Sequence, residues 1–340
     1  MRPVAFGWSL FAVALALRVG AVVAVGELPS IRGYECEQIS HNLIAGHGYA
    51  MAYFGPVAPT AHQYPLYCWL MALHFALFGA SYLPLQLTQA LVGALSCVVL
   101  WRLARRLVDE PVGRVAGLTA ALYPVYVYWT VRMQALTLEV LLLILVVWLF
   151  DRAFEDGRFS LFAVAGGVFG AACLSKALYL AYLPVILVWA ARRWGRSSRW
   201  ALRPLGVAFL VTALVIAPWT LRNWAVFGAP VLISSNSGWN LYAGNNPRAT
   251  GSSYASYGKT MQSTLSAETV QALRALDDVE KDALFRREAL AWMRDNPGEF
   301  AALIPRKLRA LWWFDPETPT SFGGVRVGVY LGLLILTALG

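Results

Sequence analysis

Apolar residues run along this chain in long blocks, not in the alternation of a strand or the stripe of a surface helix. The blocks occupy residues 6–25, 83–101, 115–129, 135–150, 162–174, 178–191 and 205–221. A helix that crosses a bilayer needs about 20 mostly apolar residues, so each block predicts a spanning helix. The fifth and sixth are short and separated only by Ser175-Lys176-Ala177, which predicts a tight helical hairpin. A last block, 325–340, stops short of a full span and predicts the start of an eighth helix, truncated from a longer protein. The first block is too long for a signal peptide and lacks a small-residue cleavage site after it. The expected fold is an all-α polytopic membrane protein with a transmembrane body over residues 1–221.

Two polar segments are too long to be turns. In the first, 27–82, Cys36, Ile39, Ser40 and Leu43 share one helical face, and Gly46 and Gly48 follow, which predicts a juxtamembrane helix near 35–45. An apolar element at 66–78 is too short to span and is expected to lie in the interface or re-enter. The second segment, 222–320, predicts a soluble part. It holds a short strand at 231–234, a glycine- and asparagine-rich stretch, and helices at 266–276, 278–295 and 297–313. The last of these alternates Phe300, Leu303, Ile304 and Leu308 with Arg306, Lys307 and Arg309, an amphipathic face for the membrane or the helical body.

Composition sharpens this picture. Of 340 residues 58% are hydrophobic and 14% charged, against about 45–50% and about 25% in soluble domains. Both a water-soluble enzyme and a disordered chain are thereby excluded. The net charge of +9 sits mostly in the loops that are inside when the N-terminus is cytoplasmic: 12 arginines there, against Arg32, Arg132 and Lys176 in the short outer segments. The excess charge is topological, and nucleic acid is not an expected partner. The expected localisation is the plasma (inner) membrane, multi-pass, with the long segments on the outer, periplasmic face.

Candidate chemistry gathers at the outer rim. Glu35 and Glu37 could act as general bases on an acceptor hydroxyl, or simply complement the helix dipole at its start. Glu139 and Arg18 lie within spans, where an ionisable residue points to function or to a partner; Glu139 needs Arg18, Lys176 or a wet cavity. His41, His47 and His62 share the first loop with the glutamates, so a divalent metal is possible, although no cofactor is firmly implied. Cys36 and Cys68 both face the oxidising side and are free to pair. Asn236, Asn240, Asn245 and Asn246 either present amides to a ligand or build the loop.

Several of these segments resemble a known superfamily. Gly33-Tyr34-Glu35 with Gly48-Tyr49, Pro59-Thr60-Ala61 and Pro65-Leu66-Tyr67 is similar to the first outer loop of GT-C glycosyltransferases. The resemblance is to bacterial relatives of protein O-mannosyltransferases and of the lipid A aminoarabinose transferase. Pro218-Trp219-Thr220-Leu221-Arg222-Asn223 and the string from Asn236 to Pro247 match further on, and Leu174-Ser175-Lys176 stands where relatives tend to carry Leu-Thr-Arg. The matches cover most of the chain from Phe6 to Phe314.

The resemblance implies an inverting transfer of a sugar from a polyprenyl-phosphate donor to a lipid, glycan or protein acceptor on the outer face of the bilayer. It makes Glu35 the expected base, with Glu37 second, although relatives commonly carry Asp there and this loop has none. Arg222, Lys176 and Arg18 become the cations for the donor phosphate. Tyr67, His62, Asn236, Asn240 and Asn245 become substrate contacts. The competing class is a polyprenyl-lipid transporter or flippase, which predicts internal repeats and broken helices at mid-membrane; no repeat is evident. An inactive relative is the third reading.

Overall fold

The computed structural model describes residues 3–25, 33–194, 202–252, 254–256 and 258–312. Arg32 and the expected helix start at 321–340 lie outside them. Contacts divide the chain into two compact units, one comprising the residues up to Ala52 and Val57–Ser234, the other Tyr53–Pro56 and the chain from Ser235 onward.

The first unit is helical except for one ribbon. Its elements are α1 (Pro3–Val25), α2 (Tyr34–Ile44), β1 (Ala50–Ala52), β2 (Val57–Pro59), α3 (Pro65–Phe78), α4 (Leu83–Leu107), α5 (Glu110–Leu122) and α6 (Pro124–Val131). They continue with α7 (Leu136–Asp156), α8 (Phe159–Ser175), a 3-10 turn at Ala177–Tyr182, α9 (Leu183–Trp194) and α10 (Leu202–Phe227). Among the described residues, three helices are long and apolar enough to cross a membrane: Pro3–Ala24, Leu83–Leu107 and Arg203–Phe227. The all-helical membrane architecture stands.

Three local expectations change. The block at 115–129 is not one helix, because Pro124 has no N–H and pushes Tyr123 out of the helical region (ψ 112°), leaving α5 and α6 as helices of 13 and 8 residues. The hairpin expected around Lys176 is replaced by the 3-10 turn, and α8 packs chiefly on α7 and α10. Gly166 and Gly170 explain that choice: a Cβ on Gly166 would strike the backbone of Ala208, and one on Gly170 would lie 2.8 Å from Val215. Two glycines four apart let the helix backbones approach where no hydrophobic effect drives them together, and Thr212 Oγ1 donates across the seam to Gly166 O at 2.9 Å.

Helices form over both stretches expected near 35–45 and 66–78, as α2 and α3. Ile39 and Ser40 are the buried side of α2, and Gly46 and Gly48 adopt the left-handed φ of +81° and +77° that ends it. Cys36 of α2 and Cys68 of α3 form a disulfide with Cα atoms 4.7 Å apart.

In the second unit, α11 (Ser237–Gly244) is followed by the ribbon β3 (Tyr254–Ser256) and β4 (Lys259–Thr260), then α12 (Ala267–Leu273), α13 (Asp278–Asp295) and α14 (Pro297–Trp312). The helix starts follow their caps. Ser266 accepts from Thr269 N, and Asp277 with Glu280 forms a capping box. The Asp282 carboxylate accepts from Ser237 Oγ and Gly238 N, so α13 supplies the N-terminal cap that α11 does not have from its own Asn236. The strand expected at 231–234, in the first unit, is absent; that stretch is a loop held by side chains of α10.

Candidate active site

The string Pro218-Trp219-Thr220-Leu221-Arg222-Asn223 ends α10 and organises the loops around it. Trp219 Nε1 donates to Ile233 O at 2.6 Å, Thr220 Oγ1 to Leu232 O at 2.8 Å and Asn223 Nδ2 to Val231 O at 3.0 Å. Three consecutive loop carbonyls are thus satisfied by positions 219, 220 and 223, neighbours on a helix surface. This is why the loop needs no strand partner. Arg222 reaches elsewhere: Nη1 donates to Thr60 O at 2.7 Å and Nη2 to Tyr49 O at 2.8 Å, joining the two sides of the β1–β2 ribbon. Tyr49 and Trp219 lie against its guanidinium at 5.6 and 5.0 Å. The described contacts of this expected phosphate ligand are backbone carbonyls, the side-chain oxygen of Asn223 and rings.

Arg18 is also used by the backbone. It is 1% exposed and donates to Ala120 O at 3.3 Å and Ala121 O at 3.5 Å, the last turn of α5. In an unbroken helix the carbonyl of Ala120 would take the N–H of residue 124, but that residue is proline. The arginine replaces the donor that the proline removes, at the negative end of the helix dipole. Gly93 makes room for it, since a Cβ there would lie 2.6 Å from Arg18 Nε. That Nε and Thr137 Oγ1 have no protein partner, and both residues line a cavity of ≈ 20 Å³, room for a bridging water.

Lys176 differs. It caps the end of α8, and its ammonium lies 3.9 Å from Glu139 Oε2 in the first turn of α7. Tyr179 from the 3-10 turn donates to the same oxygen at 3.0 Å. Glu139's side chain is 8% exposed and that of Lys176 40%, so the carboxylate is buried behind a cation that stays open on one side. Of the two partners expected for Glu139, the structure selects Lys176. One residue beyond Tyr179 begins an apolar groove of ≈ 700 Å³, lined by Leu180, Leu183 and Leu187 on one wall and Ile216, Leu221 and Trp224 of α10 on the other. Its walls are almost wholly apolar, and Leu180 in its lining belongs to the same 3-10 turn as Tyr179.

The two glutamates of α2 separate. Glu37 Oε2 accepts from Gly33 N at 2.9 Å, closing the first turn of its own helix. Glu35 is half-buried and has no hydrogen-bond or ion-pair partner among the described residues. Tyr67 is 3% exposed, its burial raises the phenol pKa, and its hydroxyl donates to Gln89 Oε1 at 2.8 Å. Gln89 passes the tie on to the carbonyls of Thr130 and Arg132 at the end of α6. His62 is buried. His41 stacks on Phe75, and His47 pairs with Asn42 Oδ1. Among the described residues no three His, Cys, Asp or Glu side chains gather into a ligand set for a metal.

In the second unit most of the asparagines are architecture. Asn245 Nδ2 donates to Leu241 O and Asn246 Nδ2 to Tyr242 O, both at 2.8 Å; Asn236, Asn245 and Asn246 are buried. Asn240 alone of the four is exposed. Residues that sequence reasoning passed over include Tyr179, Gln86 and Gln89. A polar side chain inside an apolar run is the signal that marks the two glutamines.

Comparison with known proteins places this arrangement in context. Residues 59–221 match the family described as dolichyl-phosphate-mannose-protein mannosyltransferase. A curated relative from Pseudomonas fluorescens strain Pf0-1, an undecaprenyl phosphate-alpha-4-amino-4-deoxy-L-arabinose arabinosyl transferase, is 29% identical over 198 residues, covering 54% of this chain and 32% of the relative. Its namesake in strain Pf-5 is 29% identical over 162 residues, or 45% of this chain and 29% of the relative. The chain resembles GT-C glycosyltransferases and spans about a third of the length of these curated relatives. The family match includes Glu139, Lys176 and the α10 clamp up to Leu221, and stops short of Glu35 and Glu37 on one side and Arg222 on the other.

Proposed function

We propose that this chain forms the donor-binding body of an integral-membrane glycosyltransferase that moves a sugar from a polyprenyl-phosphate carrier to an acceptor at the outer face of the inner membrane. The observation that carries the reading is the apolar groove along α10, whose lining residue Leu180 shares a 3-10 turn with Tyr179, the partner of Glu139 and through it of Lys176. A polyprenyl phosphate is a long apolar chain with one anionic head, and the groove and its cation have that order. Lys176 takes the departing phosphate, where a fixed charge in a partly dry site is worth more than in water. Glu139 and Tyr179 hold the ammonium in place. Glu35, the carboxylate of α2 without a described partner, removes the proton from the acceptor hydroxyl as it attacks with inversion. The Cys36–Cys68 disulfide supports an outer-face position for α2 and α3, since such bonds persist on the oxidising side of a membrane. The basic loops between the other helices support the same orientation.

The test is transfer by purified protein in proteoliposomes, with undecaprenyl-phosphate-linked mannose and aminoarabinose as donors. Removal of a general base typically costs about 10²–10⁴ in rate, so Glu35→Gln should lower turnover by at least about a hundredfold with donor binding intact. Full activity in Glu35→Gln removes that residue from the chemistry. Donor binding without transfer to any lipid, glycan or protein acceptor would instead favour a carrier of the same lipid.

A further inference from the structure

The second unit holds a cavity of its own, of ≈ 420 Å³, which none of the preceding chemistry uses. Trp239, Asn240 and Gly244 of α11 form one side, Thr260 and Gln262 another, and Lys307 of α14 a third. Its character is unlike that of the groove in the first unit. Amide, hydroxyl, indole and ammonium groups line one enclosure, and a volume of this size suits one or two sugar rings.

Lys307 is the unusual member. Its Nζ donates to Asn245 Oδ1 at 2.7 Å, a neutral partner, and no carboxylate lies within ion-pair distance among the described residues. Burial lowers its pKa below the ordinary lysine value. A half-buried ammonium without a counter-ion lacks the partner that usually offsets desolvation, and the open side of this one faces the cavity. Nearby charges are of the wrong sign to serve: Arg306 and Arg309 flank it on the same helix, and Arg248 follows the asparagine string. Trp239 is braced from behind by Phe285 at 4.9 Å and Tyr242 at 6.1 Å, a rigid aromatic wall. Gly244 lies beside the ammonium, close enough that a Cβ there would be in ordinary van der Waals contact with Lys307 Nζ at 3.7 Å. Asn240 is left exposed while its neighbours Asn245 and Asn246 are consumed by backbone, so the one free amide of the string is the one that lines the cavity.

We propose that this cavity binds a saccharide bearing an acidic group, a carboxylate or a phosphate: Lys307 pairs with the acid, Asn240 and Gln262 bond ring hydroxyls, and Trp239 covers a ring face. The proposal does not depend on transferase activity, because binding and not turnover tests it.

The experiment is binding to the full chain in nanodiscs by saturation-transfer NMR and calorimetry. The probes are trigalacturonate and glucose 1-phosphate, with maltotriose and inorganic phosphate as comparators. The expected result is that one or both acidic saccharides bind at least about tenfold tighter than maltotriose and than inorganic phosphate. Which of the two binds identifies the acid. Lys307→Gln should abolish that preference, and Asn240→Ala, at an exposed position that leaves the fold alone, should weaken binding of acidic and neutral saccharides alike. Gly244→Val should close the cavity. Equal binding of maltotriose, inorganic phosphate binding as tightly as glucose 1-phosphate, unchanged affinity in Lys307→Gln and Asn240→Ala, or no binding of any probe would each overturn the proposal.

Discussion

Arg18 and Lys176 are both cations set among apolar helices, and the regions around them have opposite designs. Around Arg18 the charge is sealed at 1% exposure, its partners are carbonyls, and it repairs a backbone that Pro124 has broken. Around Lys176 the partner is a carboxylate, the side chain is 40% exposed, and the lining of a large apolar groove begins four residues on, at Leu180. A charge in a membrane helix is costly in either case. The difference lies in what repays it. Arg18 answers orphaned acceptors within the fold, whereas Lys176 pairs with a carboxylate and stays partly exposed. Arg222 belongs with Arg18 by this criterion, since its described partners are Tyr49 O, Thr60 O and Asn223 Oδ1.

That contrast can be broken in three places, taken here from the largest expected effect to the smallest. Lys176→Gln should lower sugar transfer by at least about a hundredfold while shifting unfolding in detergent by less than about 1 kcal/mol. A variant that unfolds as readily as it loses activity would move Lys176 into the architectural class. Arg18→Met should cost about 2–3 kcal/mol of stability, because two buried carbonyls lose their donor. Pro124→Ala restores an N–H opposite Ala120 O, so the double variant should recover at least about 1 kcal/mol of that loss in a thermodynamic cycle. Additive losses would show that arginine and proline are unrelated.

The smallest effect is a pH dependence in the second unit. An anion held by Lys307 needs the protonated amine, and burial lowers that amine's pKa. Affinity for an acidic saccharide should therefore be constant at neutral pH and fall on the alkaline side, beginning below the ordinary lysine value of 10.5. The titration is read by calorimetry; affinity held past that value would point to a cation other than Lys307.

Much of the fold was legible in the order of residues. The helices at 278–295 and 297–313 emerged almost to the residue because their caps are local: Asp277 with Glu280, and Asn296-Pro297. The helices α2 and α3 emerged from one apolar face and from length. The block at 115–129 misled because hydropathy does not register the missing N–H of Pro124, and the stretch at 231–234 misled because its carbonyls are taken by side chains of α10. Of the candidate site residues, Lys176 and Glu139 stood out as charges in apolar surroundings. Tyr179 did not, since a tyrosine near a helix end is ordinary until its hydroxyl is seen 3.0 Å from a carboxylate.

What the sequence alone determined is everything governed by neighbours in the chain: the apolar blocks, the basic loops, the capped helices and the turns at Gly46 and Gly48. The tertiary structure alone decided which group each cation meets, a backbone carbonyl, a carboxylate or a side-chain amide. The physical reason is that a lysine or arginine reads the same in any apolar run, and its role depends on the group opposite. Those groups are far away in sequence: Ala120 for Arg18, Tyr49 for Arg222, Glu139 for Lys176 and Asn245 for Lys307.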